Sequence, residues 1–566
     1  MATTQLFQKN PDSYPSEINC KEEVDYNTNP RYPWFKQTNF TAGDEDQFKT
    51  YMTSQNYSFY YPPKNKDNIW GYDFIENFEK YKDITPRDVM NTFKYIFHKL
   101  KKGIYVKIVN NKLEVFLPFS KVNFVNEWGH LIKVDTTKWR DITDFLIYSS
   151  KLTGYNLDKS RINAFPSNWY ANNCLVRSEY PVGEGDSGVQ TIKDMFISLC
   201  ENRTIPNTEF FVNRRDFPIL KKDGTEPYDA LWNSHNFPLV SHNYDKFAPI
   251  LSMVSTDNYA DIAIPTFEDW ARVNSDYTEP NKKFFAPCRN FGNEFNLLGW
   301  DKKIPTAVFR GASTGCGTTL ETNPRLKLAK MSEMKEIDPS DGALFLDAGI
   351  TKWNTRPRKE FGKEFLTTIE FNKLGLKLVP FMTPEEQSNY KYIINVDGHV
   401  SAYRLSLEMR MGSVILLVDS PYKMWYHSYL QPYVNYIPVK RDLSNLIDQI
   451  KWCKEHDIEC LEIVANNLEF YHNYLGKNGI YDYLQSVLYQ ITDLEGIILR
   501  NPSLLNIQLT SESNYLQGML KEVNKDNREL SSFPNVERSY GLMKCLEEIF
   551  YRNENVETSL KKLGDV

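Results

Sequence analysis

The stretch of sequence that decides the fold is residues 390–440, which read YKYIINVDGHVSAYRLSLEMRMGSVILLVDSPYKMWYHSYLQPYVNYIPVK. Two short apolar runs, at 392–396 and 414–418, flank a helix-like segment at 401–411. Strands that are apolar throughout are typical of parallel strands buried on both faces of a sheet. The stretch therefore predicts a strand–turn–helix–strand unit of an α/β domain.

The turn between the first strand and the helix, at Asp397-Gly398, is where such units bind phosphate. Free backbone N–H groups and the positive end of the helix dipole both point there. Arg404 falls in the first turn of the predicted helix, so a fixed cation is expected beside the anion site. Arg404 could instead be solvated or paired with Glu408 one turn later. Asp397 could accept from a sugar hydroxyl or cap the helix.

The sequence from about residue 303 onward continues the alternation of strands and helices. Strands are predicted at 306–310, 343–347 and 436–439, and helices from about 323, at 443–455 and at 460–474. This alternation predicts a parallel sheet with helices packed on it.

A loop of glycines and hydroxyl residues, GASTGCGTT at 311–319, follows the strand that ends at Arg310. It is not a Walker A loop, because its spacing is wrong and no Lys precedes the threonine pair. It could place backbone N–H groups and the hydroxyl of Ser313 or Thr314 against a phosphate or a ribose. The alternative is a tight connection that needs small residues.

The first half of the chain has weaker signals. Residues 1–80 are polar and rich in Tyr, Asn and Pro, which predicts an irregular extension. The elements predicted after it are a helix from Thr85, a hairpin of 104–109 and 113–119, a helix at 188–200, strands at 209–213 and 249–255, and a loop at 259–270.

Composition and length exclude several classes of protein. The chain has 566 residues and a net charge of -6, so two or more domains are expected and nucleic acid is not an expected partner. No apolar run approaches the roughly 20 residues of a membrane helix. The N-terminal residues lack the pattern of a signal peptide. We therefore predict a cytoplasmic location and reduced cysteines.

Four motifs resemble glycosyltransferase family 90, the group of Rumi-type protein O-glucosyltransferases, their KDEL-containing relatives and fungal capsule xylosyltransferases. They occur in the family's order: EFFVNRRDFP at 209–218, STDNYADIAIPTFEDW at 255–270, VFRGASTG at 308–315, and the 390–440 stretch with its continuation to Trp452. The last motif is most similar to the KDEL-containing branch. With the weaker similarity around them, the motifs span about 105–489.

The resemblance implies a GT-B fold, in which two Rossmann-like domains face each other across a cleft. It implies an inverting transfer from UDP-glucose or UDP-xylose without a metal. The domains predicted on this basis are an N-terminal extension at 1–80, an acceptor-side domain at 81–300, a donor domain at 301–490 and a helical extension at 491–566. A glycan or a protein is the expected acceptor.

The same motifs imply the site residues. Arg310 and Arg404 are expected to hold the diphosphate, where fixed cations stabilise the leaving UDP. Further donor-side residues are Gly311, Ser313, Thr314, Asp397, Gly398, Ser401 and Tyr403. Residues of the acceptor or sugar side are Arg215, Asp216, Asp261 and Trp270.

The catalytic base is the least determined residue of the predicted site. Glu179, Glu184 and Asp186 precede the helix at 188–200, where acids are also favoured simply by the helix dipole. Rumi-type members have an Asp shortly before this helix. An ungapped count places Glu179 at that position, whereas matching the nearby Cys to Cys174 places Asn173 there. We predict Glu179 as the base, with Asp186 as the alternative.

Two other hypotheses compete with this prediction. The chain could be a non-catalytic nucleotide-binding, glycan-binding or structural protein on the same fold. It could also be a metal-dependent transferase that uses Asp44 and Asp46, although this D-x-D pair lies in a polar loop with no strand before it. The abundance of Asn, Lys, Ile and Tyr indicates an AT-rich genome, as in a large DNA virus.

Overall fold

The computed structural model describes residues 102–120, 134–152, 168–172, 175–179, 187–222, 250–274, 299–315, 317–358 and 364–499. Elements are numbered within these ranges. The α/β class predicted from the sequence is confirmed, since the described residues include one mixed and one parallel five-stranded sheet with helices between their strands.

The first sheet has five strands in the order β2-β1-β5-β6-β7. They are β1 (Lys102–Val109), β2 (Lys112–Ser120), β5 (Thr208–Val212), β6 (Ile250–Ser252) and β7 (Ile262–Ala263). Strand β1 is antiparallel to β2 and β5, whereas β5, β6 and β7 are parallel. The predicted hairpin is confirmed. Its turn places Asn110 and Asn111 at φ 50° and 61°, the left-handed region that Asn tolerates.

A separate two-stranded ribbon lies between these strands in the sequence. It consists of β3 (Asn168–Asn172) and β4 (Leu175–Glu179), which are antiparallel and pair Asn168 with Glu179.

Three helices belong to the first half: α1 (Ile142–Lys151), α2 (Ser187–Asn202) and α3 (Phe267–Val273). Helix α2, predicted at 188–200, is confirmed and buries Ile192, Phe196 and Leu199 in the core with β1 and β5. The predicted loop at 259–270 was wrong at its end, because α3 begins at Phe267. A capping box between Thr266 and Asp269 starts this helix.

The second sheet has five parallel strands in the order β12-β11-β10-β8-β9. They are β8 (Ile304–Ala312), β9 (Leu346–Lys352), β10 (Tyr390–Asn395), β11 (Val414–Val418) and β12 (Ile437–Val439). The strand predicted at 414–418 coincides with β11, and all of its residues are buried. The strand predicted at 343–347 was placed too early, because β9 begins at Leu346.

This strand order has a topological switch point between β8 and β10. From β8 the chain moves outward to β9, and then returns to the other side of β8 for β10, β11 and β12. In open α/β sheets of this order, ligands bind at the carboxyl ends of the two strands that flank the switch.

The helices of the second half are α4 (Pro324–Ser332), α5 (Phe371–Leu374), α6 (Pro384–Gln387), α7 (Leu405–Glu408), α8 (Leu446–Glu455), α9 (Asp457–Phe470) and α10 (Lys477–Leu499). The helix predicted at 401–411 was wrong in length, because only Leu405–Glu408 is helical. Arg404 is therefore the residue that caps the helix rather than part of its first turn. Tertiary hydrogen bonds from Arg272 to Tyr403 and Ser406 hold this short segment in addition to its few helical ones.

Loops at the carboxyl ends of the two sheets contact each other. Ser255, which follows β6, exchanges two backbone hydrogen bonds with Lys423, which follows β11, at 3.0 and 2.7 Å. The hydroxyl of Tyr403 donates to the carbonyl of Asp216, after β5, at 3.4 Å. The ends of the parallel strands of both sheets therefore border a common region.

The C-terminal part of the described chain returns to the first sheet. Leu484 and Val487 of α10 lie in one buried cluster with Ile104 and Val212 of the first sheet. The predicted domain boundary at 490/491 falls inside α10. Within the residues the structure describes, no helix combines the length and the apolar character needed to span a bilayer.

Candidate functional site

Open α/β sheets have a crevice at the switch point, and Arg325, in the first turn of α4, contacts both loops that flank it here. Its Nε and Nη2 donate to the carbonyls of Asp397 (2.8 Å) and Val396 (2.9 Å), after β10. Its Nη1 donates to the carbonyl of Ala312 (3.1 Å) and the hydroxyl of Thr314 (2.7 Å), at the end of β8. One buried guanidinium thus joins the two loops that flank the switch point.

Two glycines are needed for this close approach. A Cβ on Gly398 would lie 2.8 Å from the Thr314 hydroxyl oxygen, and one on Gly311 would lie 2.8 Å from the ring of Phe309 and 3.3 Å from Arg325 Nη1. A side chain at Gly398 would have to displace Thr314 of the other loop, whereas one at Gly311 would have to displace the Phe309 ring. The predicted donor-side residues Thr314 and Gly398 therefore lie together, and Gly311 lies beside Arg325, which joins the two loops.

Arg404 lies beside Arg325 in the same crevice. Its Nη1 donates to the carbonyl of Arg310 at 2.7 Å. Its Nε lies 2.8 Å from Oε1 of the buried Glu408, an ion pair that is off hydrogen-bond geometry. Its Nη2 is buried and has no hydrogen-bond partner among the described residues. The predicted pair with Glu408 is present, but it leaves part of the guanidinium unsatisfied.

The two arginines lie against one aromatic ring. The guanidinium carbons of Arg325 and Arg404 are 5.6 and 5.2 Å from the centroid of the Phe309 ring. Burial lowers the pKa of Arg325 to about 9, and the positive charge of Arg404 contributes to that shift. The charges of Asp397 and Glu408 act in the opposite direction on this pKa, so what the two arginines still offer to an anion is the Nη2 donor of Arg404.

Asp397 supplies a carboxylate to the same crevice. It accepts a hydrogen bond from the hydroxyl of Ser420, which follows β11. Burial raises the pKa of Asp397 to about 6, although the Ser420 hydroxyl and the charges of Arg325 and Arg441 act in the opposite direction. Asp397 is thus a half-buried acid that connects the loops after β10 and β11.

Arg310, unlike Arg404, has its guanidinium paired with a carboxylate of the neighbouring strand. Its Nη2 bonds both carboxylate oxygens of Asp347, at 2.9 and 3.0 Å, and its Nη1 donates to the Phe309 and Asp347 carbonyls. Asp347 lies near the start of β9 and also accepts from the hydroxyl of Tyr390 at 3.0 Å. Arg310 contacts Arg404 through its backbone carbonyl, which accepts from Arg404 Nη1. Contact between its guanidinium and a diphosphate stays a prediction.

The remaining donor-side residues line the loops after β8 and β10. The hydroxyl oxygen of Ser313 is buried and accepts from the backbone N–H of Asn354 at 2.8 Å. Ser401 is half-buried in the connection that precedes Tyr403. The Tyr403 ring packs edge-on against Phe267, with centroids 6.4 Å apart.

The predicted acceptor-side residues do not form one cluster of exposed groups. Arg215 is buried, with its guanidinium carbon 6.0 Å from the Phe217 ring, and its neighbour Asp216 is half-buried. Trp270 is fully buried and donates from Nε1 to Asp194 at 2.6 Å. This burial leaves no face of the Trp270 ring open to a sugar.

Asp261 is buried beneath the loop that follows β5. Its carboxylate accepts from the N–H groups of Ile219 (2.9 Å) and Leu220 (2.7 Å) and from the Ser252 hydroxyl (2.6 Å). Burial raises the pKa of Asp261 to about 6, against the effect of these hydrogen bonds. All its described partners are neutral donors, so the group fixes the loop.

Of the predicted catalytic base, Glu179, the structure describes the backbone only. Glu179 ends β4, but its side chain, like Asp186, Asp44 and Asp46, lies outside the described residues. Which acid faces the crevice therefore stays a prediction.

Sequence reasoning missed Arg325 and Asp269. Arg325 follows Asn323-Pro324, an N-cap and first-turn pair that marks the helix start after the glycine loop. An arginine in the first turn of the helix after the glycine loop could have been predicted from the sequence as a candidate site residue. Asp269 had only the capping-box spacing from Thr266.

The model of the family described as glycosyl transferase family 90 matches residues 192–533, more than half of the chain. The chain belongs to glycosyl transferase family 90. This confirms the resemblance carried by the four motifs.

Several relatives of this family 90 chain come from viruses and animals. The uncharacterized protein 179R of Invertebrate iridescent virus 6 is 43% identical over 543 residues, which cover 87% of this chain and 45% of the relative. Protein O-glucosyltransferase 3 of Homo sapiens is 28% identical over 299 residues, covering 52% of this chain and 48% of that protein. Protein O-glucosyltransferase 1 of Homo sapiens is 24% identical over 425 residues, covering 72% and 92%. The chain spans less than half the length of its viral relatives.

Proposed function

We propose that this family 90 chain is an inverting, metal-independent glycosyltransferase with the GT-B arrangement. It transfers glucose or xylose from a UDP-sugar to a hydroxyl group of a glycan or protein. The observation that carries the proposal is the buried Nη2 of Arg404, which has no hydrogen-bond partner among the described residues and lies with Arg325 at the switch point. A diphosphate oxygen would satisfy that donor and offset both charges.

The chemistry follows from where charge develops. The acceptor hydroxyl oxygen attacks the anomeric carbon from the face opposite to UDP, while the bond from that carbon to the diphosphate oxygen breaks. Negative charge then builds on the leaving UDP, and the fixed arginines stabilise it in the transition state. A carboxylate on the acceptor side, for which we propose Glu179, takes the proton from the attacking hydroxyl.

Protein acceptors are supported by the animal relatives, which are named protein O-glucosyltransferases. The viral relatives agree with the expected origin in a large DNA virus, and their names mention no acceptor. Glucose is therefore the first sugar to test, with xylose as the second.

The first test is calorimetric titration of UDP into wild type, Arg404→Ala and Arg404→Lys. We expect both variants to lose at least about tenfold in affinity, because a hydrogen bond between charged groups contributes about 1.5–3 kcal/mol. Lysine can keep the pair with Glu408 but cannot supply Nη2. It therefore separates loss of the donor from loss of the buried ion pair.

Arg410→Ala is the matched control. Arg410 lies on the same segment, but its Nη1 faces the hydroxyl of Tyr471 at 3.3 Å and its guanidinium carbon lies over the Tyr471 ring. Its UDP affinity should equal that of wild type. No affinity of wild type for any UDP compound would contradict the proposal.

The second test is slow hydrolysis of a panel of UDP-sugars, which requires no acceptor. We expect release of UDP from UDP-glucose or UDP-xylose that persists in EDTA. Glu179→Gln should lower transfer once an acceptor is known and leave UDP affinity unchanged. UDP binding without hydrolysis or transfer would instead support the non-catalytic alternative.

A further inference from the structure

Helix α3 of the first half holds the segment that carries Arg404. Asp269, 3% exposed, accepts from the hydroxyl of Ser406 on α7 at 2.6 Å and from Nε1 of Trp425 at 3.0 Å. Its Oδ2 also accepts from the N–H and the hydroxyl of Thr266 at 3.0 Å. One buried carboxylate thus caps its own helix and binds two residues of the second half.

Arg272 completes this contact one turn later. Its Nη1 donates to the carbonyl of Tyr403 at 3.0 Å and to the hydroxyl oxygen of Ser406 at 2.8 Å. The same guanidinium pairs with Glu268 at 2.6 Å and Asp269 at 3.2 Å. Ser406 therefore accepts from Arg272 and donates to Asp269, which fixes the direction of the chain of hydrogen bonds.

The two groups that α3 holds lie on either side of Arg404 in the sequence. Helix α7 has only four residues, and its cap residue Arg404 makes no side-chain capping hydrogen bond. Helical hydrogen bonds alone therefore do little to fix the backbone at this position. Because a guanidinium directs its hydrogen bonds in a fixed plane, a small backbone rotation at Arg404 would turn Nη2 away from a bound oxygen.

We propose that Asp269 and Arg272 are positioning residues for the anion site, acting across the two halves of the chain through Tyr403 and Ser406. This inference rests on the proposed function, since it takes the diphosphate of UDP as the anion. The sequence places both residues in the 255–270 motif or just after it, on the side of the chain that does not carry the predicted donor residues. Donor affinity would then depend on contact between the halves.

The experiment compares UDP with uridine, which lacks phosphate, in the full chain. We expect Arg272→Ala to weaken UDP binding at least about fivefold, the effect of about one net hydrogen bond. Uridine affinity should stay unchanged, because the base and ribose do not depend on Nη2 of Arg404. A general loss of folding would weaken both ligands, so the UDP-to-uridine ratio separates positioning from stability.

Two further variants keep the test sharp if Arg272→Ala folds poorly. Arg272→Lys can still donate to the Tyr403 carbonyl and should recover most of the UDP affinity. Ser406→Ala removes only the hydroxyl that joins Arg272 to Asp269 and should lower the ratio by a smaller factor.

The control is Arg203→Ala. Arg203 also joins the first half to the C-terminal part of the chain, through Asp482 on α10 at 2.8 Å, but it touches neither flank of Arg404. It should leave the UDP-to-uridine ratio at the wild-type value. An unchanged ratio in both Arg272→Ala and Ser406→Ala would overturn the inference while leaving the proposed function standing. Failure of wild type to bind UDP would overturn both.

Discussion

Each of the two sheets has an acid with a raised pKa close to its strands, but the two acids have different surroundings. Asp261 in the first sheet meets two backbone N–H groups and a hydroxyl. Asp397 in the second sheet meets a hydroxyl and lies near the charges of Arg325 and Arg441. Burial raises both pKa values to about 6. The difference is therefore not in the acids but in the cations around them.

The comparison distinguishes polar groups that are satisfied within the protein from polar groups that can still bind a ligand. The neutral donors around Asp261 use the hydrogen-bonding capacity of its carboxylate, so this acid fixes a loop and does not need a ligand. Around Asp397 a hydrogen-bond donor is left over, because the buried Nη2 of Arg404 has no hydrogen-bond partner among the described residues. An oriented donor of this kind, on a fixed cation, suits a site that binds an anion.

Removal of Arg325 should have the largest effect on the second sheet. Arg325→Ala leaves the buried carbonyl of Val396 and the half-buried carbonyls of Ala312 and Asp397 without this donor. An unsatisfied buried acceptor costs about 1–3 kcal/mol, so we expect a loss of at least about 2 kcal/mol in the free energy of unfolding, measured by urea titration.

Lys330→Ala on the same helix is the control for that variant. Lys330 pairs with Glu333 at 2.7 Å on an exposed face, and such pairs contribute about 0–1 kcal/mol. Equal losses in the two variants would mean that Arg325 does not hold the switch-point loops together.

The two acids predict a pH dependence that ligand binding can separate. A carboxyl whose pKa is raised on folding stabilises the folded state at low pH, and this contribution is lost as pH rises through the folded pKa. With a folded pKa of about 6, wild type should lose about 1.4 kcal/mol relative to Asp397→Asn between about pH 5 and about pH 7.5. The free energy of unfolding of wild type minus that of the variant, plotted against pH, is the difference curve. Asp261→Asn should give a difference curve of similar size.

Saturating UDP should move only one of these curves. A bound diphosphate adds negative charge near Asp397, which raises the pKa of that carboxyl and shifts its difference curve to higher pH. The curve for Asp261 should stay in place, because neutral groups surround it. Thermal unfolding at a series of pH values, with and without UDP, measures both. A shift of both curves, or of neither, would show that the anion does not bind beside Asp397.

The sequence determined those parts of this comparison that depend on local patterns. Continuous apolar runs located β11, and Asn110-Asn111 located the hairpin, because each signal is contained in a few neighbouring residues. The Asp-Gly turn and Arg404 were found for the same reason. The family motifs added the order of the elements.

The parts that escaped prediction depend on contacts between distant residues. Arg325 binds backbone groups 71 and 72 positions later, and Arg310 pairs with Asp347 on a neighbouring strand. A helix of normal length was expected after Ser401. The helix has only four residues, and hydrogen bonds from Arg272, over 130 residues earlier, reach the Tyr403 carbonyl and the Ser406 hydroxyl oxygen. Spacing along one sequence does not contain such pairings.

The smallest expected effect concerns the antiparallel side of the first sheet, which should contribute to folding and not to the site. Asn110 has φ 50°, and a β-carbon without a polar side chain is disfavoured there by roughly 1 kcal/mol. Asn110→Ala should therefore cost about 1 kcal/mol in urea unfolding, whereas Asn110→Gly, which accepts this backbone conformation, should be neutral. Neither variant should alter UDP affinity. The hydrogen bond from the Asn110 N–H to Asn207 is made by the backbone and survives both changes. A change in UDP affinity in Asn110→Ala alone would show that strain at the hairpin reaches the switch point, and the two sheets would then not divide folding and binding in this way.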